Sequence, residues 1–145
     1  MSAHESLTNH PGIPRALLES MPTRADDLRA RTKRFAFGII NLVKHLPHNI
    51  ATDAIARQLI RSGTGISSNH RSACRARSRR EFIAKLGVVL DEADESELWL
   101  EALIECELAI DALPVRPLLQ EAGELRAIFF QSIRTARGNQ AGNNV

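Results

Sequence analysis

The stretch SRREFIAKLGVVLDEADESELWLEALIECELAIDALP, residues 78–114, decides the fold. It opens with Ser78-Arg79-Arg80-Glu81, the pattern of a capping box, in which a hydroxyl and a glutamate three residues later satisfy the first free N–H groups of a helix. Phe82, Leu86, Val89, Ala93, Ser96, Leu100, Leu103 and Ile110 then recur at helical spacing and define one face. The pattern predicts an unbroken helix from Ser78 to Leu113, roughly 50 Å long at 1.5 Å per residue. Pro114 stops it, because the residue before a proline is pushed out of the helical region.

Working outward, three more amphipathic segments appear. Helix 1 is expected over Thr23 to Leu46, with Leu28, Phe35, Ile39, Leu42 and Leu46 on one stripe and Pro47 behind it. Helix 2 is expected to start at Asn49, a good N-cap, with Asp53 in its first turn facing the positive end of the helix dipole. Its stripe is Ile55, Leu59, Ser62, Ile66, Asn69 and Ala73. Helix 4 places Pro117 in its first turn and carries Leu118, Ala122, Leu125, Ile128, Phe129 and Ile133. Residues 1–22 hold Pro11, Pro14 and Pro22 and read as a flexible leader; residues 138–145 are rich in Gly and Asn and read as a disordered tail. The domain proper is residues 23–137. Short loops between long helices make neighbours antiparallel, so the expected class is all-α, an up-down-up-down four-helix bundle.

Composition agrees with one such core. The chain has 145 residues, 43% apolar, with five Phe, one Trp and no Tyr. That is material for helix–helix packing rather than for a sandwich or barrel. Cys74 and Cys106 stand far apart, with no metal-ligand spacing and no disulfide framework. No apolar signal region opens the chain, and the uncharged run Phe35 to Val43 is far shorter than the roughly 20 residues of a membrane span. The expected location is the cytoplasm.

Helix 2 contains the unusual run Arg61-Ser62-Gly63-Thr64-Gly65-Ile66-Ser67-Ser68-Asn69. Each interior glycine disfavours a helix by about 1 kcal/mol relative to alanine. A phosphate-binding loop is a poor explanation: no strand precedes the run, and neither GxGxxG nor GK[ST] is present. Close approach of a neighbouring helix fits better, with the hydroxyls bonding back to the previous turn and Asn69 fixing the register.

The net charge is only +2, but its distribution is uneven. Arg71, Arg75, Arg77, Arg79, Arg80 and Lys85 form a basic run interrupted by Glu81, and Asp91, Glu92, Asp94, Glu95, Glu97, Glu101, Glu105 and Glu107 form an acidic one. Up-down topology gathers the basic run at one end with Arg24, Arg29, Arg31, Lys33 and Arg34 of helix 1 and Arg134 and Arg137 of helix 4, opposed only by Asp26, Asp27 and Glu81. A patch of that density is the footprint of a phosphate-backbone site, with Arg71, Arg75, Arg77, Arg79, Arg80, Lys85, Arg31 and Arg34 as its candidate residues. The same charges also suit a heterologous contact with the acidic flank of a second copy.

Other candidates lead nowhere chemical. His45 and His48 flank Pro47 without accompanying ligands and suit a solvated turn; His70 reads as a surface residue beside Arg71. The carboxylates around Glu92 and Glu95 lack the Glu-x-x-His pairs of di-metal bundles. No nucleophile–base pair is present, so neither enzyme activity nor a cofactor nor a metal is expected. Trp99 suits the core or a subunit interface.

One resemblance adds to this reading. Gln58-Leu59-Ile60-Arg61-Ser62, Ile66 to Asn69, Ala76-Arg77-Ser78-Arg79, Glu81-Phe82, Glu92-Ala93, Glu95 and Trp99-Leu100 occur in the order seen in bacterial proteins encoded by 23S rRNA intervening sequences. The chain resembles that family and its relatives, the accessory variability proteins of diversity-generating retroelements, over about Thr23 to Arg137. Arg61, Ser62, Asn69, Ser78, Glu81, Phe82 and Trp99 are the positions that carry the motif. The resemblance implies a bundle that assembles as a homopentameric ring and has no activity of its own. In the retroelement relatives it implies a basic surface for nucleic acid and for a reverse transcriptase. The family often has an apolar residue after the asparagine and an acid two positions later. Here His70 and Ser72 stand there with Arg71 between them, which makes the segment more cationic and favours an anionic partner such as RNA or DNA; the alternative is a structural scaffold or adaptor for a protein partner with no nucleic-acid binding.

Overall fold

Asn49 and Ser78 begin their helices as their residue types require. Both lie in extended backbone, and their side-chain oxygens accept from the N–H groups of Thr52 at 2.9 Å and Glu81 at 3.1 Å. The computed structural model describes residues 24–141. They form four helices: α1 (Arg24–Val43), α2 (Ile50–Cys74), α3 (Arg79–Glu105) and α4 (Val115–Ala141). No strand occurs among the described residues. The expected leader at 1–22 and residues 142–145 of the expected tail lie outside them. α4 continues past Gly138 to Ala141, so the first part of that tail is helical instead.

Each helix packs on its neighbour in sequence, and α1 closes the set against α4. One core joins them: Phe35 and Ile39 from α1, Leu59 and Ile66 from α2, Leu86, Val89, Leu100 and Leu103 from α3, and Leu125 and Phe129 from α4. These are the stripes read from spacing. α1 stops at Val43, three residues short of the expected end, because the chain tightens into a turn in which Leu46 N–H donates to Val43 C=O; Leu46 stays buried all the same.

The end of α3 is the largest departure. The helix stops at Glu105, and Ile110, expected on its stripe, is 87% exposed in the following loop. Glu107 adopts the left-handed conformation (φ 53°). Its N–H donates to Ile104 C=O, and Leu108 N–H donates to Leu103 C=O, both hydrogen bonds of a Schellman stop. Leu108 then folds back onto the core. That position usually holds glycine, so a glutamate there gave no signal in the sequence.

The small-residue run of α2 is continuous helix, so its N–H groups serve the helix rather than a phosphate. A Cβ on Gly63 would lie 2.9 Å from Cγ1 of the fully buried Ile39, so glycine is what lets α1 and α2 approach. The hydroxyls of Ser62, Thr64 and Ser68 donate to carbonyls three or four residues back. Across the next interface Ser96 Oγ donates to Ser62 Oγ at 2.9 Å with both residues buried. The polar pair that fixes the α2–α3 register is therefore Ser62 with Ser96, and not Asn69.

These positions yield three stability predictions. Glu107→Gly relieves the left-handed strain and raises unfolding free energy by about 1 kcal/mol in urea titration. Gly87 has open space around it, so Gly87→Ala stabilises by up to about 1 kcal/mol through helix propensity. Gly63→Ala gains the same propensity and nonetheless destabilises by about 1–2 kcal/mol, because Ile39 cannot yield.

Candidate nucleic-acid interface

The corner between α2 and α3 is built by its caps. Arg75 closes α2, its N–H donating to Ser72 C=O, and Ser78 opens α3. Glu81 completes a variant of the expected capping box: its carboxylate accepts from the N–H of Arg77 at 2.8 Å rather than from that of Ser78. That bond, with Lys85 beside it, holds the Glu81 carboxyl below the usual carboxylate range. Lys85 Nζ lies 3.1 Å from Glu81 and donates to Ser72 Oγ at 2.9 Å. Ser72, Arg75, Arg77, Glu81 and Lys85 thus surround one shallow polar basin.

Arg71, Arg75, Arg77, Arg79 and Arg80 are all exposed. Among the described residues no carboxylate forms an ion pair with any of these five guanidinium groups. Arg34 is exposed as well, beside a shallow groove it shares with Arg31. Arg31 behaves differently: Nε donates to Glu121 at 2.9 Å and Nη2 to Glu124 at 2.6 Å, which raises its pKa and neutralises it within the chain. Lys33 and Arg134 lie over the rings of Phe37 and Phe130, at 5.6 Å and 6.0 Å from the centroids.

Several motif residues turn out to join helices. Arg61 reaches from α2 to Glu92 at 3.5 Å and to Glu95, both on α3. Burial pushes the Glu92 carboxyl up, and Arg61 opposes that shift. Ser62 holds Ser96, while Ser78 and Glu81 cap α3. Phe82 and Trp99 are half-buried against the core, with Trp99 Nε1 buried and unpartnered. Asn69 is half-buried on α2 next to His70. Glu97 binds Arg126 of α4 at 2.6 Å. Glu92, Glu95 and Glu97 of the acidic stretch are thus paired inside the chain.

His45 and His48 separate: Nδ1 of His45 lies 2.8 Å from Asn41 C=O, and that of His48 lies 3.2 Å from Asp53. His70 corrects the sequence reading, for it is 3% exposed rather than a surface residue. Its ring meets Phe129 at 5.5 Å between centroids with the planes tilted by 56°, and Nε2 lies 3.6 Å from Cys74 Sγ. Nδ1 is buried with no hydrogen-bond partner. The stripe could not reveal this, since an imidazole beside an arginine has the composition of a surface turn. His70 also lines a cavity of about 520 Å³ with Leu28 of α1, Phe82 and Leu86 of α3, Phe129 and Thr135 of α4, and Arg79 beside them.

The profile of the 23S rRNA-intervening sequence proteins matches residues 27–131, and the chain belongs to that family. Its fold is similar to a crystal structure from Bacteroides thetaiotaomicron, described as a protein of unknown function from the S23 ribosomal protein family. The two share 32% identity at a TM-score of 0.70, over 77% of this chain and 99% of that one. No functionally curated protein matches the sequence.

The buried imidazole gives the fold a pH signature. Desolvation, and then the charge of Arg29, lower the pKa of His70 from its ordinary 6.5. The unfolded chain therefore binds the proton more readily, so stability is complete above about pH 6.5 and declines as pH falls below it. For one proton the slope reaches at most about 1.4 kcal/mol per pH unit. His70→Phe removes this component, so its urea midpoint drops less between pH 7 and pH 5 than that of the native protein.

Proposed function

We propose that this protein is a non-enzymatic, cytoplasmic bundle protein that binds RNA or DNA backbones through the corner between α2 and α3, largely without regard to sequence. The observation that carries this reading is the contrast in charge use. Arg31, Arg61 and Arg126 are consumed by carboxylates of neighbouring helices, whereas Arg71, Arg75, Arg77, Arg79 and Arg80 stand exposed and form no ion pair among the described residues. Unneutralised arginine at that density attracts polyanions. No helix among the described residues is long and apolar enough to cross a membrane.

The protomer is read as up-down-up-down. Two observations support this: Ser62 and Ser72 of α2 meet Ser96 and Lys85 of α3 in reverse order, and residues of all four helices line the cavity beside Arg79. A ring-like homo-oligomer, a pentamer by resemblance to the retroelement accessory proteins, is supported by large apolar side chains left in water on the helices, among them Phe37, Leu98 and Phe130, each more than half exposed. A reverse transcriptase is a further partner where one is encoded nearby. Those same apolar groups favour the second reading, a scaffold or adaptor that binds a protein partner and no nucleic acid.

Fluorescence anisotropy with a structured RNA decides between the two. Binding is expected at 50 mM salt and declines steeply by 200 mM, with a log–log slope of about −0.7 to −0.9 for each phosphate neutralised. Replacing Arg75, Arg77, Arg79 and Arg80 by Ala flattens the slope by about three units and leaves the oligomer intact in light scattering. Absence of binding at low salt, or affinity unchanged in the quadruple variant, overturns the reading. Loss of the oligomer in a protein that never retains nucleic acid establishes the scaffold.

A further inference from the structure

The cavity beside Arg79 is not required by packing. Its volume of about 520 Å³ falls in the range of pockets that hold small ligands, about 300–1,000 Å³. It is open to solvent at the end of the bundle, with exposed Ala25, Ser78, Arg79 and Thr135 on its rim, rather than sealed in the core. Its walls are of two kinds. Half-buried Phe82 offers an aromatic face, and exposed Thr135 and Arg79 offer polar edges, above a floor of buried Leu86, His70 and Phe129. His70 is 3% exposed, and its Nδ1 is buried without a hydrogen-bond partner, a state that buried polar atoms seldom keep. The occupant that suits these walls is a flat, partly aromatic molecule with donors and acceptors on its edge. Arg79 belongs at once to the cavity lining and to the exposed arginine group.

We propose that this cavity receives one unstacked nucleobase of a single-stranded segment whose phosphates lie on the neighbouring arginines. The inference rests on the nucleic-acid reading above and deepens it: the preferred ligand is a strand with an extrudable base rather than a continuous duplex. Stacking against an aromatic side chain tolerates any base, because every base has a π-face, so the pocket adds affinity without imposing a sequence. Exposed Thr135 and Arg79 at the rim supply the edge contacts, the hydroxyl donating or accepting and the guanidinium donating. Duplexes give up pairing and stacking to supply the base, and bulges or loops give up less.

The test compares two strands of equal charge by anisotropy: a 12-nucleotide single-stranded RNA, and an abasic 12-mer with the same phosphates. The base-bearing strand is expected to bind about tenfold more tightly, the size of one base–aromatic contact. Ala136→Trp and Ala25→Trp fill the cavity from opposite walls. Each is expected to erase that tenfold preference while leaving the abasic affinity and its salt slope unchanged, with folding checked by thermal melts. Adenosine alone, titrated into the wild-type protein, is expected to shift the His70 and Phe129 ring resonances. Equal binding of the two strands, or a preference that survives both tryptophan substitutions, overturns the base pocket and leaves the backbone reading standing. Failure of both strands to bind at low salt overturns the backbone reading itself, and this inference with it.

Discussion

The arrangement depends on how closely α2 is approached on both sides along its small-residue run. Gly63 admits Ile39 of α1 to a distance at which any side chain would clash, and one residue earlier Ser62 bonds to Ser96 of α3 inside the core. Because the two contacts lie on consecutive residues, α1 and α3 are registered against the same turn of one helix. Arg61 then fastens that turn from outside to Glu92 and Glu95. The run is a poor helix former in isolation, and its helicity comes from what it allows to pack against it.

Fixing that turn also fixes where the charges go. With α2 and α3 in register, Glu92 and Glu95 are placed to neutralise Arg61, and farther along Lys85 meets Ser72 and Glu81. The last turn of α2 and the first of α3 then project arginines whose guanidinium groups form no ion pair among the described residues. A chain of nearly balanced charge becomes uneven in this way: Glu92, Glu95, Glu97, Glu121 and Glu124 are used in pairing helices, and exposed base collects at one corner. The cavity opens beside the same corner, where the apolar stripe of α2 yields to His70 and Cys74 and closure of the core falls to Phe82 and Phe129.

Most of the architecture was legible from spacing. The four stripes and the caps at Asn49 and Ser78 follow from local stereochemistry, which acts over a few residues and is written in order along the chain. The α3 terminus was not legible, because Glu107 adopts a conformation that its residue type gives no reason to expect, and the bonds that hold it come from Leu103 and Ile104 together with the burial of Leu108. His70 escaped for a similar reason: its burial depends on Phe129, almost sixty positions away. Among the arginines, type and number were plain, but the sequence could not tell Arg31, which is neutralised, from Arg34, which is exposed.

The sequence by itself determined four amphipathic helices, where three of them begin, and that glycine and serine rather than large side chains occupy the middle of α2. Those properties follow from backbone geometry and periodicity. Tertiary structure decided which polar groups find partners. It paired Ser62 with Ser96, closed Arg31 and Arg61 with acids from other helices, buried His70 beside a cavity, and left five arginines of the α2–α3 corner without an ion pair among the described residues. Such outcomes rest on through-space distances of a few ångströms between residues dozens of positions apart, and local sequence carries no record of them.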